Sequence, residues 1–185
     1  MPFSSRVFSM TVTRLMTADE LLVQQPPDKD VELVRGRMIV REPPKPFHGM
    51  YAANLCHLVS SYVRPARLGA VFAQDTGFQI ASDPDTVLAP DLAFIRAARL
   101  PSADEDGYWR IAPDLVAEIM SPSDRRKAVV RKVHDWLDVG VRVVWFIEPK
   151  QRRATIHFAD GSEVVVPTDS DLIGGDVLPG FRCAE

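Results

Sequence analysis

A lone carboxylate in an apolar run constrains this chain more than any other feature. Leu115, Val116, Ala117, Ile119 and Met120 read as a β-strand buried on both faces, with Glu118 in their midst. An ionised carboxylate in such a strand is costly unless a metal ion or a basic side chain compensates it, and Arg125 and Arg142 are the candidate arginine partners. Ser121, Pro122 and Asp124 then predict a helix starting at Pro122: a capping hydroxyl, a proline at the first helical position and an acid in the first turn. Glu118 would thus sit near helix N–H groups that favour a phosphate.

With 185 residues, 46% of them hydrophobic, the chain is long enough for one well-buried domain. That domain is expected over residues 17–185, behind an extended or disordered segment 1–16. A net charge of −3 excludes a broad basic coat for nucleic acid but permits a local basic patch. Cys56 and Cys183 lack any ligand-type spacing, so neither a disulfide framework nor a zinc site is indicated, and Cys56 reads as a core residue. The longest clean apolar run, Val143 to Ile147, is too short to span a bilayer, which leads to the expectation of a soluble, cytoplasmic protein with no membrane partner.

Thr17 and Glu20 form a capping box that opens a first helix, from about Ala18 to Val23. Val31 to Val40 reads as two strands about a turn at Arg35-Gly36, and His48 to Arg64 as an amphipathic helix whose stripe is Tyr51, Leu55, Leu58, Val59 and Tyr62. Val71–Ile80 and Thr86–Ile95 read as two long strands, and Arg99–Arg110 as a mobile loop. A helix ending at Gly140 and a three-stranded meander over 142–166 follow. Together these elements predict a mixed sheet flanked by helices.

Asp91, just before the strand-like Leu92–Ile95, is the second acid of interest. Neighbouring strands lie about 4.8 Å apart, so Asp91 and Glu118 at matching heights can share a Mg²⁺ or Mn²⁺ ion. On a helical wheel Val129, Val133, Trp136 and Leu137 mark the buried face, Lys132 lies on its flank, and Lys127 and Arg131 point away. Lys132 is therefore the lysine placed to turn inward, where it would position or deprotonate a water or stabilise charge on a phosphate; the alternative is a stem that snorkels along the helix. Arg125 and Arg126 are candidates for holding a DNA backbone, against the alternative of a solvated face. Pro113-Asp114 is read as a structural turn.

Pro90-Asp91, Pro113 to Asp124, Lys132, and Gly140-Val141 ahead of Val144 to Pro149 together resemble the Uma-two family, small bacterial proteins classed as restriction endonucleases in the PD-(D/E)xK nuclease superfamily. The resemblance runs from about Thr17 to Phe181. It implies an α/β (α+β) fold, a restriction-endonuclease-like mixed β-sheet flanked by helices, with a divalent metal and phosphodiester hydrolysis. It also implies that Asp91 and Glu118 are metal ligands and that Lys132 is the catalytic lysine moved from strand to helix. Glu32 and His48 sit where the family tends to have an acid and a histidine. Met120 departs from the superfamily pattern, which expects lysine there.

Two functions remain open on the sequence: a Mg²⁺-dependent DNA endonuclease, and a nuclease-fold protein that binds nucleic acid or a protein partner without cutting. Double-strand cleavage by two active sites points to a homodimer. Lys132→Met is expected to lower cleavage and barely alter folding, since methionine keeps most of the stem.

Overall fold

The computed structural model describes residues 14–184, except 28, 42, 103–105 and 123. The expectation for the N-terminal segment therefore lies, up to residue 13, outside the described residues.

The capping box forms: Thr17 accepts from the Glu20 N–H, Glu20 reaches back to the Thr17 N–H, and α1 runs Ala18–Gln24. β1 (Asp30–Val34) and β2 (Arg37–Arg41) pair antiparallel through a two-residue turn. Both turn residues have positive φ, +50° at Arg35 and +71° at Gly36, the backbone that matches strand twist in a tight hairpin. A Cβ on Gly36 would lie 2.6 Å from the Leu15 Cβ, so side-chain space as well as φ requires glycine there.

α2 (Pro46–Val63) starts with its proline in the first turn. Its buried stripe is His48, Ala52, Leu55, Val59 and Val63, while Tyr51 and Leu58 are exposed. Leu55 and Val59 thus face the core as expected and Tyr62 packs at its edge, 5.4 Å from the Phe181 ring, while the buried face extends to Ala52 and away from Tyr51 and Leu58.

Each of the two long strands expected over 71–95 is broken. β3 (Gly69–Ala73) and β6 (Leu92–Arg96) pair in one sheet, whereas β4 (Phe78–Ala81) and β5 (Thr86–Leu88) pair in another. The second break falls at Ala89-Pro90-Asp91, where a proline cannot donate to a ladder and the chain crosses between sheets. That crossing delivers Asp91 to the site.

β7 (Leu115–Ile119) and β8 (Val143–Glu148) pair in parallel, joined by α3 (Arg126–Asp138); the other strand pairings are antiparallel. β9 (Arg153–Phe158) and β10 (Glu163–Pro167) complete the meander, giving a six-stranded sheet of order β10-β9-β8-β7-β6-β3. A four-stranded sheet has order β2-β1-β5-β4. The hairpin of β11 (Asp171–Gly174) and β12 (Leu178–Ala184) was not anticipated. Its Leu172, Leu178 and Phe181 pack with α2 on one face of the six-stranded sheet, against Leu115, Ala117 and Ile119. Val116 faces the other way, into a cluster with Val129, Val133 and Trp136 of α3.

α3 does not start at Pro122. Its N-cap is Arg125, without a side-chain cap, and the Asp124 carboxylate accepts the Ser121 N–H at 2.7 Å. The acid closes a local turn and so is not available to cap a helix, the usual competition between Asp side chains and helix starts. Ser123 lies outside the described residues. The far end is as expected, with Gly140 at φ +96°. The flanks of the 99–110 loop are pinned: Trp109 packs on the α3-side cluster and Arg99 reaches the Ala112 carbonyl at 2.9 Å; residues 103–105 lie outside the described residues. Among the described residues no helix is long and apolar enough to cross a membrane.

Candidate active site

Strand alternation decides which way Glu118 points. With Leu115, Ala117 and Ile119 turned to α2, Val116 and Glu118 turn to α3. There Trp136 Nε1 donates to Glu118 Oε1 at 2.7 Å, and Lys132 Nζ lies 3.0 Å from the same oxygen. Lys132 and Trp136 are four residues apart, one turn on one helix face, so α3 presents both donors to the strand beneath it.

Lys132 does not snorkel. Its ammonium is also 2.7 Å from Glu32 Oε1 and donates to the Ala89 carbonyl at 2.7 Å. Glu32, on β1, is buried; it accepts from the Ala89 N–H at 3.2 Å and pairs with Arg41 at 2.9 Å. Three separate chain segments thus converge on one lysine. Met120, two residues after Glu118, packs in the apolar cluster beside α3.

Asp91 stands next to Glu118's strand because Leu92 pairs with Ala117 across β6 and β7. Its Oδ2 accepts the Ile119 N–H at 2.6 Å, and its Oδ1 is 3.3 Å from His48 Nε2, which also lies 3.0 Å from the Ile119 carbonyl. His48 reaches in from the first turn of α2. All five residues, Glu32, His48, Asp91, Glu118 and Lys132, line one cavity of about 700 Å³, joined by Asp124.

The electrostatics are uneven. Burial pushes the Glu118 carboxyl up to about 7; Lys132 and the Trp136 N–H pull it down, but Asp91 and Glu32 add to the burial effect. Burial also raises Glu32, yet Lys132 and Arg41 more than offset it and hold this carboxyl below its usual range. Burial would lower Lys132, and the carboxylates of Glu118, Glu32 and Asp91 outweigh that and hold it as an ammonium. The hydrogen bond to Asp91 raises His48. Glu32 is therefore the firmly ionised partner of Lys132, and Glu118 is the carboxylate that the protein's own groups under-compensate.

Neither arginine proposed from sequence pairs with Glu118. Arg142 pairs with Asp176. Arg125 is exposed at the start of α3, and Arg126 bonds Glu148 at 2.7 and 3.3 Å with its guanidinium 5.5 Å above the Phe146 ring. Neither Arg125 nor Arg126 lines the cavity. Asp114 is structural, as read: it pairs with Arg99 at 2.8 Å and accepts the Arg96 N–H. Two contributors escaped the sequence reading. Trp136 lies on the apolar stripe of α3, where its four-residue spacing from Lys132 is the available signal; Arg41 becomes diagonal to Glu32 once the hairpin register pairs Glu32 with Ile39.

Among the described residues no three His, Cys, Asp or Glu side chains form a metal-ligating group. Mg²⁺ is usually held by one or two carboxylates with water completing its shell, and Asp91 and Glu118 supply that number. The donor chemistry fits, because Lys132 compensates the buried Glu118 only in part, and His48 Nδ1 and Gln74 Oε1, buried atoms without a hydrogen-bond partner, belong to residues lining the same cavity. A hydrated cation would answer both.

The family model Uma2, described as "Putative restriction endonuclease", matches residues 18–184. A solved structure, that of "a putative nuclease belonging to DUF820 from Anabaena variabilis ATCC 29413", is similar at a TM-score of 0.79 and 21% identity, over 91% of this chain and 94% of that one. That likeness shows the fold, a mixed α+β architecture with helices on mixed sheets. No curated protein gives a match.

Proposed function

The chain belongs to the Uma2 family, and from that premise we propose that it hydrolyses phosphodiester bonds in DNA, as an endonuclease dependent on Mg²⁺ or Mn²⁺. The observation that supports this most is Lys132, drawn from α3 into a cavity between Glu32 and Glu118, at 2.7 and 3.0 Å, beside Asp91. Asp91 and Glu118 would hold the ion, which supplies Lewis-acid polarisation of a phosphoryl oxygen and an activated water. The Lys132 ammonium would stabilise charge developing on the phosphate, acting as a charged donor and not as a base. Glu32 fixes that ammonium from behind. His48 ties Asp91 to the Ile119 peptide and so holds the strand ends in register. Arg125, exposed at the start of α3, would neutralise a DNA phosphate, whereas Arg126 could do so only by giving up its bonds to Glu148. Cutting both strands would take a homodimer with two-fold related sites.

A second reading, binding without cleavage, is favoured by one observation: Met120 packs among apolar side chains, so Lys132 must serve alone. Relaxation of supercoiled plasmid in Mg²⁺ and in EDTA separates the two. Cleavage should require the ion and should fall about 10²-fold or more in Lys132→Met; a variant cutting at the wild-type rate contradicts the proposed role of Lys132.

A further inference from the structure

We infer that Trp136 is a positioning residue for the divalent cation, acting through Glu118; the inference rests on the metal-dependent reading above. Trp136 is fully buried, which alone would make it a core side chain. Its indole N–H nevertheless points at the one carboxylate in the strand below and donates to Oε1 at 2.7 Å. Lys132 approaches the same Oε1. Two donors on one oxygen restrict the rotation of the carboxyl group, and Glu118 lines the cavity. The two donors differ in kind. Lys132 is shared among Glu118, Glu32 and the Ala89 carbonyl, so its hold on Glu118 is one of three. Trp136 has one hydrogen-bond acceptor and a ring wedged among Val129, Val133 and Val144, and its neutral N–H steadies the carboxylate without adding charge that would repel a cation. An outer hydrogen bond that orients a ligand is worth about 10- to 100-fold in metal affinity.

The test is a calorimetric Mn²⁺ titration of wild type, Trp136→Phe and Trp136→Tyr. Both substitutions lose the indole, and only tyrosine restores a donor. Trp136→Phe should bind Mn²⁺ about 10-fold or more weakly, with Trp136→Tyr recovering part of the loss while the two have similar thermal midpoints. Binding by Trp136→Phe equal to wild type, or equal weakening in both variants, overturns the inference and leaves a packing role. A wild type that takes up no Mn²⁺ overturns the metal reading itself and this inference with it. If Trp136→Phe does not fold, the indole N–H resonance of Trp136 in wild type decides: it should shift on addition of Mg²⁺, and a resonance that stays fixed while binding heat is measured overturns the inference.

Discussion

Glu118 and Glu148 are buried acids on the α3 side of neighbouring parallel strands, and the protein treats them in opposite ways. Glu148, at the end of β8, is held by Arg126 at 2.7 Å and Arg153 at 2.9 Å, two guanidiniums whose side chains stay 52% and 40% exposed. Burial raises its pKa, and the two arginines more than reverse that, so the carboxylate stays ionised. Glu118 has one lysine, only 11% exposed and shared with Glu32, plus a neutral indole N–H, and its pKa is pushed up to about 7. A buried acid matched by water-anchored arginines is a fastener. One that is left short of positive charge, at a cavity, is the acid we propose as a cation ligand.

Breaking the Lys132 contacts should have the largest effect. Removing one partner of a buried ion pair costs roughly 3–5 kcal/mol, so Lys132→Met should destabilise the protein by about that much at pH 8. This reverses the expectation, from sequence, that folding would barely change. Without the ammonium, the folded-state pKa values of Glu32 and Glu118 rise, the folded variant binds more protons than the unfolded chain, and its stability falls as pH rises through the carboxyl range. Urea unfolding at several pH values should show the deficit shrinking toward pH 4.

The same comparison predicts opposite signs for two glutamine substitutions in EDTA. Glu148→Gln should destabilise by about 1–3 kcal/mol, toward the lower figure because both arginines keep water contact. Its wild-type contribution, from a lowered pKa, is present at neutral pH and lost as pH falls through the folded-state value. Glu118→Gln should stabilise at pH 8, because burial raises the Glu118 carboxyl and the amide carries no charge to bury, while Glu32 still pairs Lys132. A raised carboxyl pKa costs stability from the unfolded value of 4.5 upward, in full above about 7, so the gain should vanish near pH 4. Two glutamine variants destabilised alike would erase the distinction. The smallest effect is expected at the rim: Arg125→Ala should lower the salt dependence of DNA binding by about one unit of slope, equally for all sequences. An unchanged slope assigns Arg125 to a solvated face.

The site was legible in the sequence where local rules reach. Glu118 stood out because a charge in a double-buried strand breaks the hydrophobic pattern, and Lys132 was separable from Lys127 and Arg131 by helical angle alone. The turn at Arg35-Gly36 and the stop at Gly140 followed from backbone chemistry. Other features depended on tertiary partners. Ser121 and Asp124 carry cap-like spacing that a local turn consumes, and the break at Pro90 is invisible until two sheets are known to meet there. The 171–184 hairpin has weak alternation, and only packing on α2 gives it an inward face. Trp136 looked like core because it is core, and its second role appears only with an acceptor beneath it. Arg41 required the hairpin register.

We propose that Asp91 and Glu118 hold one divalent cation. The deciding experiment is calorimetric titration of Mn²⁺ into wild type, Asp91→Asn and Glu118→Gln, each verified as folded. The prediction is one saturable site in wild type that is lost or weakened by about 10-fold or more in each variant. No binding to wild type, or binding undiminished when either carboxylate is removed, contradicts it.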